Sequence, residues 1–242
     1  LKKRGREMRV LVVEDDPQVA EAISLCLKTR WPGADIAFSS MGRQGIKLYQ
    51  EKNPDLILLD LILPDVDGFE VLKEIRSLSS AVSIIILTVR GEEMEVIRGL
   101  ELGADDYILK PFNHTEFLAR VKTVLRRCQR PQLLTDVPPL VLGDLTIDPL
   151  TEEVRVCGRS LNLTPIEYKL LHSLASNEGR ILTHETLLSR VWGGEYSASP
   201  EYLKVYIQRL RNKLEEDPKN PRLVLTQRGM GYKLVRPVSH DY

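Results

Sequence analysis

In the first half of the chain, apolar residues come in short unbroken runs, separated by stretches where they recur every three or four positions. Met8 to Val13 is a run of strand character. Asp16 followed by Pro17 then opens a helix with Val19, Ala22, Ile23, Cys26 and Leu27 on one face. The alternation repeats four times: Ala34 to Phe38 then Gly42 to Glu51, Leu56 to Leu59 then Phe69 to Leu78, Val82 to Leu87 then Glu92 to Leu102, and Tyr107 to Leu109 then Thr115 to Arg127. The first, third and fourth runs are apolar throughout, as parallel strands covered by helices on both faces must be. Asn113 with Glu116 gives the last helix a capping-box-like start. Five such units in about 120 residues predict an α/β, doubly wound parallel (βα)5 sheet, and the small size favours the flavodoxin-like order 2-1-3-4-5.

The periodicity stops after Cys128, where Pro131, Pro138 and Pro139 stand among polar residues, and this segment reads as a linker reaching roughly 20 Å. Beyond it the order changes. Short strands (Leu140 to Ile147, Val154 to Cys157, Ser160 to Leu163) precede helices that start at Thr164-Pro165, with Glu167 reinforcing the cap, and at Thr183. A third helix spans Glu201 to Leu214, with Leu203, Ile207, Leu210 and Leu214 at helical spacing. A hairpin follows from Leu223 to Val235, its turn carrying Gly229 and Gly231. Three helices and a hairpin predict an α+β winged helix-turn-helix. The expected domains are 8–127 and 140–237, joined by the linker 128–139.

Composition narrows the classes. With 43% hydrophobic and 28% charged residues in 242, the chain is expected to be globular rather than disordered. No apolar run approaches the roughly 18 residues of a membrane span, and no signal-peptide pattern precedes Met8, so a cytoplasmic protein without membrane contact is expected. Cys26, Cys128 and Cys157 form no CxxC pair and read as free thiols. His114, His172, His184 and His240 show no metal spacing. The net charge of zero hides an asymmetry: 13 basic against 19 acidic residues from Met8 to Leu125, but nine against four from Glu201 to Arg236. That division predicts a cation site in front and a polyanion partner behind.

In such a sheet, ligands bind beyond the carboxyl ends of the strands. There the sequence places Glu14, Asp15 and Asp16 after strand 1, Asp60 at strand 3, Thr88 at strand 4 and Lys110 with Pro111 at strand 5. Gathered carboxylates call for a hard cation, and oxygen ligands describe Mg²⁺. Asp60 as nucleophile, Lys110 as counter-charge and Thr88 as donor fit phosphoryl transfer that yields an aspartyl phosphate. A flavin site is disfavoured by the acidic first turn, and nucleotide hydrolysis by the lack of a GxxxxGK[ST] loop.

The strings VLVVEDD (10–16), PDLILLDLILPDVDGFEVL (54–72), ILT (86–88) and GADDYILKPF (103–112) resemble two-component response regulators of the OmpR/PhoB type over nearly the whole chain. The resemblance makes 8–127 a receiver domain with Asp60 as phosphoacceptor. It implies Mg²⁺ on Glu14, Asp15, Asp60 and the Ile62 carbonyl, a sensor histidine kinase as donor, and Thr88 with Tyr107 as a switch pair. It also implies a cis Lys110-Pro111 bond. Dimerisation on phosphorylation would use Asp106 with Arg120 and Glu101 with Lys122. Glu116 also matches, but its basic partner is replaced by Val96.

The third helix of the back domain carries an excess of base and precedes a hairpin bearing Arg228, which fits a recognition helix in the major groove of double-stranded DNA with a wing over phosphates. YLKVYIQRLRNKLE and TQRGMGYKL resemble the same family's winged-helix effector. Lys204, Tyr206, Arg209, Arg211, Lys213 and Arg228 are the expected DNA-facing residues. Of these, Arg209 and Tyr206 are assigned to bases, Arg211 and Lys213 to phosphates or salt bridges. A phosphorylation-controlled transcription regulator is expected, with RNA polymerase as a further partner and no enzymatic role beyond accepting its own phosphoryl group. The alternatives are a phosphorylation-independent winged-helix regulator, or a Mg²⁺-dependent aspartyl-phosphate hydrolase. The hydrolase would place its nucleophile on strand 1 rather than strand 3.

Overall fold

The computed structural model describes residues 8–89, 92–125, 138–193 and 200–236. The chain divides into two compact units, 1–129 and 130–242. The expected linker 128–139 lies outside the described residues except for Pro138 and Pro139. Cys128, His240 and the expected end of the fifth helix at Arg127 fall outside them too. Among the described residues no helix is long and apolar enough to cross a membrane.

The first unit is a five-stranded parallel sheet of β1 (Arg9–Val13), β2 (Asp35–Ser39), β3 (Leu56–Asp60), β4 (Ser83–Thr88) and β5 (Asp106–Leu109), in the order β2-β1-β3-β4-β5. The helices between and after them are α1 (Pro17–Arg30), α2 (Gly42–Lys52), α3 (Gly68–Leu78), α4 (Glu93–Glu101) and α5 (His114–Leu125). One face of the sheet packs Val10, Val12, Leu56, Leu58, Ile85, Leu87 and Ile108 against Ile23 and Leu27 of α1 and Phe117, Val121 and Val124 of α5. On the other face helices approach closely. A Cβ on Gly45 of α2 would meet Val13, and one on Gly99 of α4 would meet Ile86. The central strands are therefore buried from both sides, which is why they are apolar without alternation.

The second unit opens with an antiparallel sheet of β6 (Leu140–Leu142), β7 (Leu145–Ile147), β8 (Val154–Val156) and β9 (Arg159–Leu161). The single strand expected from Leu140 to Ile147 is thus two, because Gly143 at φ 59° turns the chain back on itself. Helices α6 (Pro165–Ala175), α7 (His184–Trp192) and α8 (Pro200–Leu214) follow. The hairpin of β11 (Val224–Gln227) and β12 (Gly231–Leu234) completes a winged helix. One strand has no sequence precedent: β10 (Leu182–Thr183) pairs with β12, and a side chain on Gly231 would run into the Leu182 carbonyl.

Candidate functional site

The carboxyl ends of β1, β3, β4 and β5 meet at one edge of the sheet. Glu14 and Asp60 are buried there, Asp15 is exposed, and one carboxylate oxygen from each lies within 4.8 Å of the others. Asp16 is spent otherwise: its carboxylate caps α1, accepting from the Gln18 amide at 2.8 Å. Lys110 reaches back into the cluster, its Nζ 2.7 Å from Asp60 and 2.6 Å from Glu14. The peptide bond from Lys110 to Pro111 is cis, as the resemblance implies, and the Lys110 amide donates to the Thr88 carbonyl at 2.8 Å. Thr88 and the Tyr107 ring are both buried.

Burial pushes the Glu14 carboxyl above its usual range, and the charge on Asp60 adds to this while Lys110 opposes it. Burial alone would lower the Lys110 ammonium, but its hydrogen bonds to Asp60 and Glu14 outweigh that and hold it above its ordinary value. Three carboxylates against one ammonium leave two negative charges uncompensated, in an all-oxygen donor set with one exposed member. That arrangement fits a hard divalent cation.

The loop after β3 is tied down at both ends. The Ile62 amide donates to Asp60 Oδ1 at 3.1 Å, and Asp67 caps α3 through the Phe69 amide at 2.8 Å. Between them Asp65 crosses to α2 and accepts from the amides of Gly42 at 2.7 Å and Arg43 at 3.0 Å. Gly68 has no room for a side chain because the Asp60 carbonyl occupies that space. A groove of about 500 Å³ opens beside the cluster, lined by Glu14, Asp15, Glu21, Phe38, Ser39 and Gln44. Asp65 is invisible in sequence as a cap, since its helix starts 23 residues earlier.

On the α4-β5-α5 side, Arg120 pairs within its own chain, with Asp106 at 3.1 Å and Glu116 at 3.0 Å. Glu101 and Lys122 are exposed.

In the second unit the structure removes Tyr206 from the two residues assigned to bases and gives Arg209 a partner within the protein. Tyr206 is 1% exposed and packs on Trp192 with ring centroids 5.1 Å apart. It joins the core because its ring extends the apolar stripe of α8 toward α7. Arg209 is drawn to Glu167 at 2.6 Å, its side chain 10% exposed. Lys213 takes the other Glu167 oxygen at 2.6 Å, and Arg211 donates to the Val224 carbonyl at 2.7 Å and the Thr226 hydroxyl at 2.7 Å, anchoring the hairpin. Lys204 pairs with Glu201 at 2.9 Å on the exposed side, and Arg228 is exposed in the turn of the wing. Glu167 is the residue that sequence reading undervalued. It accepts from the Thr164 amide at 2.7 Å as the expected capping box, yet it also serves two cations from α8.

Comparison with known proteins agrees with both halves. Residues 10–122 match the response regulator receiver domain, and residues 158–234 match the C-terminal domain of transcriptional regulatory proteins. The DNA-binding response regulator MtrA of Mycolicibacterium smegmatis is 42% identical over 231 residues, covering 95% of this chain and 97% of MtrA. The alkaline phosphatase synthesis transcriptional regulatory protein PhoP of Bacillus subtilis is 38% identical over 239 residues, with 96% and 99% covered. Among solved structures, a cysteine-to-aspartate mutant of RitR superposes with a TM-score of 0.76 at 26% identity, over 95% of this chain and all of that one. DrrB of Thermotoga maritima, an OmpR/PhoB homologue, gives 0.50 at 32% identity, with 95% and 99% covered. Identity at this level along both units, together with the sheet order and the winged helix, places the chain in the OmpR/PhoB family of DNA-binding response regulators.

Proposed function

We propose that this chain accepts a phosphoryl group on Asp60 from a sensor histidine kinase and, once modified, dimerises and binds promoter DNA to regulate transcription. The observation that supports this most is the Lys110 ammonium held between Asp60 and Glu14, beside Asp15. Mg²⁺ is the cation proposed for the two uncompensated charges, held by Glu14, Asp15, Asp60 and the Ile62 carbonyl. When bound it spreads the charge of the transferring oxygens. An Asp60 oxygen forms the new bond to phosphorus as the donor's N–P bond breaks, and that electron pair leaves with the kinase imidazole. The groove beside Glu14 and Asp15 gives the donor its approach. Lys110 then holds the transferred group by charge and Thr88 by its hydroxyl, and Tyr107 fixes the switched state with its ring turned inward.

Dimerisation through the α4-β5-α5 face would bring two winged helices onto two half-sites, where the exposed Arg228 meets phosphate and RNA polymerase becomes the neighbouring partner. These partners place the chain in the cytoplasm. Incubation of Asp60→Asn with a small phosphodonor and Mg²⁺ tests the site: the wild type gains the mass of one phosphoryl group and the variant gains none. Full labelling of the variant would sink the assignment.

A further inference from the structure

The basic side chains of α8 are mostly committed to the protein itself. Glu167 takes Arg209 and Lys213, the Val224 carbonyl and Thr226 take Arg211, and Glu201 takes Lys204. Leu203, Tyr206, Ile207, Leu210 and Leu214 define the buried side of the helix. At about 3.6 residues per turn, the opposite side carries Glu201, Val205, Gln208 and Asn212, with Lys204, the partner of Glu201, at its margin. Gln208 and Asn212 are exposed and bond to each other, Gln208 Nε2 donating to Asn212 Oδ1 at 3.0 Å.

We propose that sequence recognition by α8 is carried by the side-chain amides of Gln208 and Asn212, directed at adenines of A·T pairs, while the helix's arginines hold the domain together. This rests on the reading of the domain as DNA-binding. A side-chain amide offers one donor and one acceptor, the complement of adenine N7 and N6 in the major groove, whereas an arginine offers donors only and suits guanine. The two amides stand ~6 Å apart along the helix axis. That is close to two base steps of about 3.4 Å, so the two amides can reach base pairs about two steps apart. Their mutual hydrogen bond limits the rotamers each must surrender on binding. Val205, between Gln208 and the start of the helix, brings methyl groups to the same side, suited to the thymine methyl.

Selection from a pool of randomised duplexes by the phosphorylated full chain tests this directly. The wild type should enrich a site with fixed A·T positions. Gln208→Ala and Asn212→Ala should each relax one of them, lowering discrimination roughly ten-fold, with the salt dependence of binding unchanged. Arg209→Lys, which keeps a charge for Glu167, should enrich the wild-type site. An enriched site that both amide variants leave unchanged, or one that Arg209→Lys relaxes at a guanine, would overturn the inference alone. Failure of the folded wild type to enrich any sequence would overturn the DNA-binding reading, and this inference with it.

Discussion

The guanidinium of Arg209 on α8 lies 2.6 Å from the carboxylate of Glu167, a wholly buried acid in the first turn of α6. Burial would raise the Glu167 carboxyl, but Arg209 and Lys213 outweigh it and hold the group below the usual carboxylate range. Truncating one member of such a cluster leaves buried charge uncompensated. Glu167→Ala should therefore cost about 3–5 kcal/mol of C-terminal domain stability, and Glu167→Gln somewhat less because the Thr164 amide keeps an acceptor. Urea unfolding of the full chain, followed by circular dichroism, checks this. A midpoint equal to that of the wild type would contradict the structural role given to the cluster.

His172 on α6 gives a separate, milder acid response. Burial holds its imidazole below the ordinary value of 6.5, against the Tyr168 ring at 5.9 Å between centroids. The folded state thus prefers neutral His172, and the unfolded chain binds the extra proton. Its contribution is fully present above pH 6.5 and is lost as pH falls through the lowered folded value. The Glu167 contribution is present above its ordinary 4.5 and is lost only in more acid solution. Thermal melts should show the C-terminal domain weakening as pH falls below 6.5 in the wild type, and His172→Gln should flatten that segment of the curve.

How far the sequence revealed these features depends on whether neighbours along the chain or across the fold decide them. β1, β3 and β4 were legible because strands buried on both faces must be apolar throughout, and the Asp16 cap because its acceptor lies two residues from its donor. The acidic crevice was legible because parallel strands put all their carboxyl ends at one edge, so strand-end residues converge whatever lies between them. β10 was not: two residues form a strand only by pairing with β12, some 48 positions later. Tyr206 was misplaced for a similar reason. A tyrosine suits either water or a core, and Trp192 on another helix settled it. Glu167 read as a local cap, which it is, and nothing near it announced two cations from residues 209 and 213.

The cation site should respond to charge in opposite directions at two positions. Removing the ammonium in Lys110→Ala takes a positive charge from beside Glu14 and Asp60, so Mg²⁺ should bind several-fold more tightly. Asp15→Asn removes an exposed carboxylate from the proposed cation site and should weaken binding about ten-fold. Calorimetric titration with MgCl2 measures both. Lys110→Ala should nevertheless fail to dimerise when phosphorylated, since the transferred group loses the charge that holds it.

The proposed dimer face can be tested without touching the core. Arg120 is the obvious residue to mutate, yet it is a poor one, because it already satisfies the buried Asp106 in its own chain. Its loss would destabilise β5 and α5 whether or not a dimer forms. Glu101 and Lys122 are exposed, and neither supports the receiver core. If they meet across a twofold axis, each pair occurs twice per dimer, and exposed pairs contribute about 0.2–1 kcal/mol apiece. Glu101→Lys or Lys122→Glu alone replaces two attractions by two repulsions, so each should weaken the phosphorylated dimer by roughly four-fold or more. The double variant reverses both charges and should recover most of that loss. Sedimentation equilibrium of the phosphorylated chains at low and high salt reads the effect, which should shrink at high salt as screening sets in. A double variant no better than either single one, with all three folded, would mean that these two side chains do not face each other and that the dimer uses another surface.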